Sequence, residues 1–217
     1  MLTIRTQVAL ILALLLLTPS FGRDFGIGRL KYSGGGDWYA NPTSIPNWLR
    51  LLRSRLGMKI KSSESVVNLR DESTWQVPLI YATGHGNINF TDLEADTLRR
   101  YLLSGGFLWV DDNFGMDTYF RRNIRKVFPE KKLSPLSSSH EIYQSFYKLK
   151  GLPKIHEHEG DPAQGFAMFH EGRMILFYSY SSDIGDGLED YPVHKDPPQV
   201  RNLAEKFAVN LVYYVLN

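Results

Sequence analysis

Two short apolar runs flank a capped helix, and this unit limits the fold more than any other part of the chain. Residues 78–83 (PLIYAT) are mostly apolar and close on Gly84, and residues 107–110 (FLWV) close on Asp111 and Asp112. Short runs of this kind suit strands buried on both sides of a sheet. Between them, residues 91–103 read as a helix. Thr91 and Glu94 form a capping box at its start, and Gly105 and Gly106 stop it. A strand, a crossover helix and a second strand make a parallel pair, joined right-handedly in nearly all known cases. His85 and the adjacent pair Asp111 and Asp112 are therefore expected to end neighbouring strands and share one rim.

The remaining chain repeats the alternation. Residues 24–32 (DFGIGRLKY) read as a strand, followed by the glycine-rich turn 33–37 (SGGGD). Residues 44–56 read as a helix, because Ile45, Trp48, Leu49, Leu52 and Leu56 recur at three- and four-residue steps and Gly57 ends the run. Residues 58–69 read as a further extended stretch. Residues 117–128 read as an amphipathic helix with Phe120, Ile124, Val127 and Phe128 on its apolar side. Ser138 and Glu141 read as a second capping box that opens a helix to about Leu149. Residues 166–170 and 173–180 flank Glu171 and Gly172 as a hairpin. Residues 181–198 read as a polar loop, and 199–216 as a closing helix. The order predicts an α/β fold, a three-layer sandwich with a mostly parallel central sheet, a C-terminal hairpin and a helix. Ligands bind beyond the carboxyl ends of strands in such sheets. Three polar clusters fall at those ends, at 33–37, 84–89 and 111–115.

The first 22 residues read as an address. Arg5 precedes an unbroken apolar run over residues 8–17, and Ser20 and Gly22 are small residues placed for a cut after Gly22. The run is too short for an ordinary membrane span, which needs about 20 residues. The expectation is a cleaved signal peptide at 1–22, export to a bacterial periplasm or beyond, and one domain over 23–217 with no transmembrane span after cleavage. The plainer alternative is an uncleaved anchor. The chain of 217 residues has no cysteine. That excludes a disulfide framework, a thiolate zinc site, a cysteine nucleophile and a lipoprotein anchor, and it suits an oxidising compartment. A formal net charge of +2 makes no case for nucleic acid. Six cations between Arg121 and Lys132 read as the solvated face of a helix.

Candidate chemistry sits at the strand ends. In Gly84-His85-Gly86-Asn87, the glycines admit a close ligand approach, and His85 is a potential metal ligand or proton carrier. The plain alternative is a tight turn. Asp111, Asp112 and Asn113 leave an apolar strand, where carboxylates are costly unless paired, hydrated or metal-bound. Oxygen donors suit a hard divalent cation, and with His85 and His140 a mixed nitrogen–oxygen site is conceivable. The plain alternative is a helix cap and an arginine pair. His140 falls in the first turn of the expected helix, where a neutral imidazole is favoured; the plain alternative is a polar surface residue of that turn. Asp183 and Asp186 follow the last strand and are expected either to face the same mouth or to lie in a solvated loop. His156 and His158 share one face of an extended run, but two ligands do not make a site. The chain has no nucleophile elbow, Walker lysine loop or H-E-x-x-H pattern.

Residues 25–217 resemble the domain of unknown function 4159 family. The pieces that carry the resemblance are FGIGRLKYSGGGDWYANP, the GHG turn in VPLIYATGHGNINF, GGFLWVDDNFG, SSSHEIYQSFYKL and VNLVYY. The resemblance implies a fold related to the class I glutamine amidotransferase-like superfamily, a flavodoxin-like three-layer sandwich. Catalytic members of that superfamily carry a cysteine nucleophile after a central strand. This chain has Asp111 and Asp112 at that turn, so amidotransferase chemistry is not implied.

Two functions follow. The first is a non-catalytic ligand-binding or accessory module of the cell envelope, holding a small polar ligand or a partner's loop, with Trp38, Tyr39, Trp109 and Tyr119 as possible aromatic contacts. Its ligand residues would be His85, Asn87, Asp111, Asp112, Asn113, His140 and Asp183. The second is a metal-assisted hydrolase using Asp111 or Asp112 with His85 and His140 around a divalent metal.

Overall fold

A computed structural model describes residues 24–157 and 160–217. The expected signal segment 1–22 lies outside the described residues, as do His158 and Glu159. In chain order the elements are β1 (Ile27–Leu30), α1 (Ser44–Leu56), β2 (Ser65–Val67), β3 (Leu79–His85), α2 (Asp92–Leu103), β4 (Phe107–Phe114), α3 (Asp117–Val127), β5 (Ser134–Pro135), β6 (Gln164–His170), β7 (Arg173–Tyr180), α4 (Ile184–Leu188), α5 (Tyr191–His194) and α6 (Pro198–Leu216).

They form an α/β fold around one seven-stranded sheet in the order β2-β1-β3-β4-β7-β6-β5. The first five strands in that order are parallel, and β6 and β5 add an antiparallel edge. The expected unit lies at its centre, with Leu79 opposite Phe107 and Thr83 opposite Asp111.

Strand alternation divides the core. Tyr81, Trp109 and Phe177 face α1 and α6, whereas Ile80, Ala82, Leu108, Val110 and Tyr178 face α2 and α3. On the first face Trp109 is the hub, 4.9 Å from Trp48 and 4.8 Å from Tyr81 between ring centroids. The capping box on α2 forms as the spacing predicts. Glu171 and Gly172 both take positive φ, which suits a two-residue hairpin turn between β6 and β7. No helix among the described residues is long and apolar enough to cross a membrane.

Three local expectations are corrected. β4 continues as strand through Phe114, so Asp111 and Asp112 lie within the sheet rather than after it. Ser138 does not open a helix to Leu149; a short 3₁₀ turn over Glu141–Tyr143 forms instead. Its continuation is captured by Asn210 of α6, whose side chain accepts from the Phe146 and Tyr147 amides and donates to the Tyr147 carbonyl. Those contacts satisfy the backbone groups that a longer helix would have paired. The expected solvated loop over 181–198 contains α4 and α5, and residues 182–189 are buried.

Candidate functional site

The carboxyl ends of β1, β3, β4 and β7 meet at one edge, and the three glycine- and acid-rich turns converge there. The Asn89 amide donates to the Ser33 carbonyl at 2.7 Å, and the Gly36 amide to the Asn87 carbonyl at 3.0 Å. The Gly86 amide reaches the Phe114 carbonyl at 2.9 Å. Gly84 is required at its position: its φ is +135°, and a Cβ there would stand 2.4 Å from the Tyr32 hydroxyl. His85 is clamped by Asp37. One Asp37 oxygen accepts its backbone amide, and the other lies 2.9 Å from Nδ1. The imidazole remains half exposed, as does Phe114, and Tyr39 is 64% exposed beside Trp38. Burial, reinforced by the charges of Asp37 and Asp112, raises the Tyr32 hydroxyl pKa well above its ordinary value.

Beneath this rim lies a buried polar network. Asp111 is fully buried and accepts from the Ser179 hydroxyl, from the Gly185 amide at 2.7 Å and from the Tyr81 hydroxyl at 3.3 Å. Burial pushes Asp111 up to about 7 against the pull of those donors. Asp112 accepts from the Met116 amide at 3.1 Å and from the Tyr178 hydroxyl at 2.8 Å. Asn113 accepts from the Thr83 hydroxyl at 2.6 Å and donates to Asp186 Oδ1 at 3.0 Å. Asp183 is buried in a left-handed conformation, and burial followed by the charges of Asp111, Asp186 and Asp112 pushes it up to about 10. Two neighbouring buried carboxyl groups, Asp111 and Asp183, thus favour their protonated forms.

Asp186 joins this network to a histidine pair. Its Oδ1 also accepts from the Asn41 amide at 2.7 Å, and its Oδ2 lies 2.8 Å from His156 Nδ1 and 3.8 Å from His194 Nδ1. His156 Nε2 stands 2.6 Å from Asp196 Oδ1. Burial works against ionisation of Asp186, but His156, His194 and Asn41 outweigh it and hold its carboxyl below the usual range. The hydrogen bond to Asp186, helped by the one to Asp196, raises His156 to about 9.

Buried Arg29 of β1 holds the loop that supplies Asn41. It donates to the carbonyls of Ala40 and Asn41 and pairs with Glu64 at 3.0 Å. Glu189, just after α4, accepts from the Thr43 and Ser44 amides at 2.8 and 2.9 Å. It thereby caps α1 and fastens the 182–189 segment to the same loop.

The expected residues are only partly assembled. His85 and Asn87 lie on the rim, with Asn87 Oδ1 buried and without a hydrogen-bond partner among the described residues. Asp111, Asp112, Asn113 and Asp183 lie below it. His140 does not belong with them, and this corrects its placement. Its Nδ1 accepts from the Ile142 amide, and its ring packs on Phe169 and Tyr214. Phe169 pairs with Met174 near the start of β7, whereas Asp111 pairs with Ser179 near its end. Five residues of strand, roughly 16 Å, separate those levels. The metal set expected from His85, Asp111, Asp112 and His140 is therefore not brought together. Among the described residues, the group placed for a metal ion is His156, Asp186 and His194. Their separations of 30 and 8 residues follow no familiar ligand spacing. Trp109, a possible contact, is core instead.

The chain matches the family model described as domain of unknown function (DUF4159) over residues 26–216, so it belongs to that family. No curated protein matches it.

Proposed function

We propose that this DUF4159 member is an exported, non-catalytic ligand-binding or accessory domain of the class I glutamine amidotransferase-like, flavodoxin-like type. The fold reading is supported by the parallel strand order β2-β1-β3-β4-β7, which matches the flavodoxin-like order 2-1-3-4-5 when the parallel strands alone are counted. Such sheets bind ligands where the strand order reverses, between β1 and β3. The observation that carries the functional reading is the solvent-facing His85–Asp37 pair at that point, with half-exposed Phe114 opposite His85 in the sheet and exposed Tyr39 two residues beyond Asp37. A solvent-facing polar donor–acceptor pair with exposed aromatic residues close by in sequence and register suits a small polar ligand or a loop of an envelope partner. Where the resemblance would put a nucleophile after this strand, Asp111 and Asp112 lie within β4, are buried and already accept several hydrogen bonds. Export is supported by the layout of residues 1–22 and by the cysteine-free composition.

A thermal-shift panel of saccharides and small polar acids should include compounds that raise the melting midpoint of the wild-type protein, with the rise lost in His85→Ala and in Tyr39→Ala. Shifts that survive both substitutions would remove the rim from the account. Ester, amide or phosphoester hydrolysis that disappears in Asp111→Asn with the fold intact would replace the binding reading with catalysis. Export is checked by intact mass: protein from the periplasm should begin at Arg23, and full-length chain held in the inner membrane would contradict cleavage.

A further inference from the structure

The geometry points to a binding site for a first-row divalent transition ion, zinc above all, formed by His156, Asp186 and His194. This inference goes beyond the rim reading and does not depend on it. One donor atom from each of the three residues lies within 4.8 Å of the others. Ligands at about 2.0–2.1 Å from a tetrahedral zinc stand roughly 3.3 Å apart. Asp186 Oδ2 is 2.8 Å from His156 Nδ1 and 3.8 Å from His194 Nδ1, about half an ångström on either side of that spacing. Two imidazoles and one carboxylate are borderline nitrogen and oxygen donors, suited to zinc and its first-row neighbours rather than to calcium or magnesium.

The surroundings orient each donor. Asp186 Oδ1 is held by the amides of Asn41 and Asn113, which turns Oδ2 towards the two rings. His156 offers Nδ1 to the site, while its far nitrogen, Nε2, meets Asp196 Oδ1 at 2.6 Å. This is the carboxylate–histidine–metal relay that fixes the tautomer and orientation of a ligating imidazole. Asp196 is itself buried, and its other oxygen has no hydrogen-bond partner among the described residues. His156 alone would make an ion pair with Asp186 and Asp196. That pair does not require a second imidazole, yet the His194 ring stands 5.0 Å from the His156 ring and faces the same Asp186 oxygen. The three ligands come from the segment before β6, from α4 and from the end of α5, so an ion would tie together the strap that follows β7. Three protein ligands leave one tetrahedral position for water or for a donor atom of a ligand.

The test is calorimetric titration of zinc chloride into chelator-stripped exported protein, with Co²⁺ absorption as a second readout. One ion per chain should bind with micromolar affinity or better, and Co²⁺ should give the intense visible bands of a tetrahedral site. His194→Gln should weaken binding at least tenfold. Because His194 is a partly exposed end-of-helix residue, the melting midpoint of the stripped variant should match the wild type. Asp196→Asn should weaken binding by about 10- to 100-fold through the relay, and His85→Gln should leave it unchanged. Absence of binding below millimolar zinc, or binding that His194→Gln leaves intact, would overturn the site and leave His156 as a structural ion pair. If His156→Gln fails to fold, His194→Gln still decides the question.

Discussion

The middle and the carboxyl end of β3 and β4 are equally buried and chemically opposite. From Leu79 to Ala82 and from Phe107 to Val110, every side chain is apolar or aromatic and packs against a helix on one face or the other. From Thr83 and from Asp111 onwards the same strands remain paired and mostly buried, but they carry a hydroxyl, two carboxylates and an amide. In the middle, burial itself stabilises, by about 25 cal/mol per Å² of apolar surface. At the end, burial costs free energy unless each polar atom has a partner. The partners come from far along the chain, namely Ser179 and Gly185 for Asp111, Tyr178 for Asp112 and Asp186 for Asn113. One region holds the fold together, and the other is held together by it.

That contrast is most exposed to substitution at its apolar half. Trp109→Ala removes the ring that joins Trp48, Tyr81 and Phe207, and should lower unfolding free energy by about 3–5 kcal/mol in urea titration. A loss below about 1 kcal/mol would mean that the hub is not the hub. Asn210→Ala should cost about 1–3 kcal/mol, because the amides of Phe146 and Tyr147 lose the buried side chain that accepts them. Hydrogen exchange should then speed up in residues 144–149 before the rest of the sheet.

At the polar end the two predicted substitutions have opposite signs. Asp111→Asn should also destabilise, by about 1–2 kcal/mol, since both Asp111 oxygens accept hydrogen bonds and an amide nitrogen would face a donor. Unchanged or raised stability would show that repulsion among the acids outweighs those bonds. Asp183→Asn should give the smallest change, and it should be a gain. Asparagine tolerates the left-handed backbone there. Because burial raises Asp183 to about 10 and Asp111 to about 7, the native chain keeps protons that the unfolded chain releases above about pH 4. Stability attributable to these groups therefore falls as pH rises from there, until about 7 for Asp111 and about 10 for Asp183. The gain in melting midpoint from Asp183→Asn, measured with chelator present, should grow between pH 5 and pH 9. A gain that shrinks over that range contradicts the assignment.

What was legible in the sequence follows the same division. The capping box of Thr91 and Glu94, the stop at Gly57, the hairpin at Glu171 and Gly172 and the apolar strands all have causes within a few residues. The convergence of the polar clusters at residues 33–37, 84–89 and 111–115 follows from parallel topology, because strand ends that point the same way share an edge. The segment after Ser138 failed because its deciding partner, Asn210, lies more than 60 residues away. Residues 181–198 read as solvated because their polar side chains carry no local sign of Asn41, His156 and the Thr43 and Ser44 amides, which bind Asp186 and Glu189. His140 has the local environment of a turn cap, while His156, set aside as half of an alternating pair, meets His194 from the other side of the β6–β7 hairpin.

The most direct test of the carboxyl edge as a built polar centre is elemental analysis of protein purified from its native compartment without chelator. The account predicts about one equivalent of a first-row transition metal per wild-type chain and far less in His194→Gln purified alongside. Wild-type protein that carries no metal, or His194→Gln that carries as much as wild type, would contradict it.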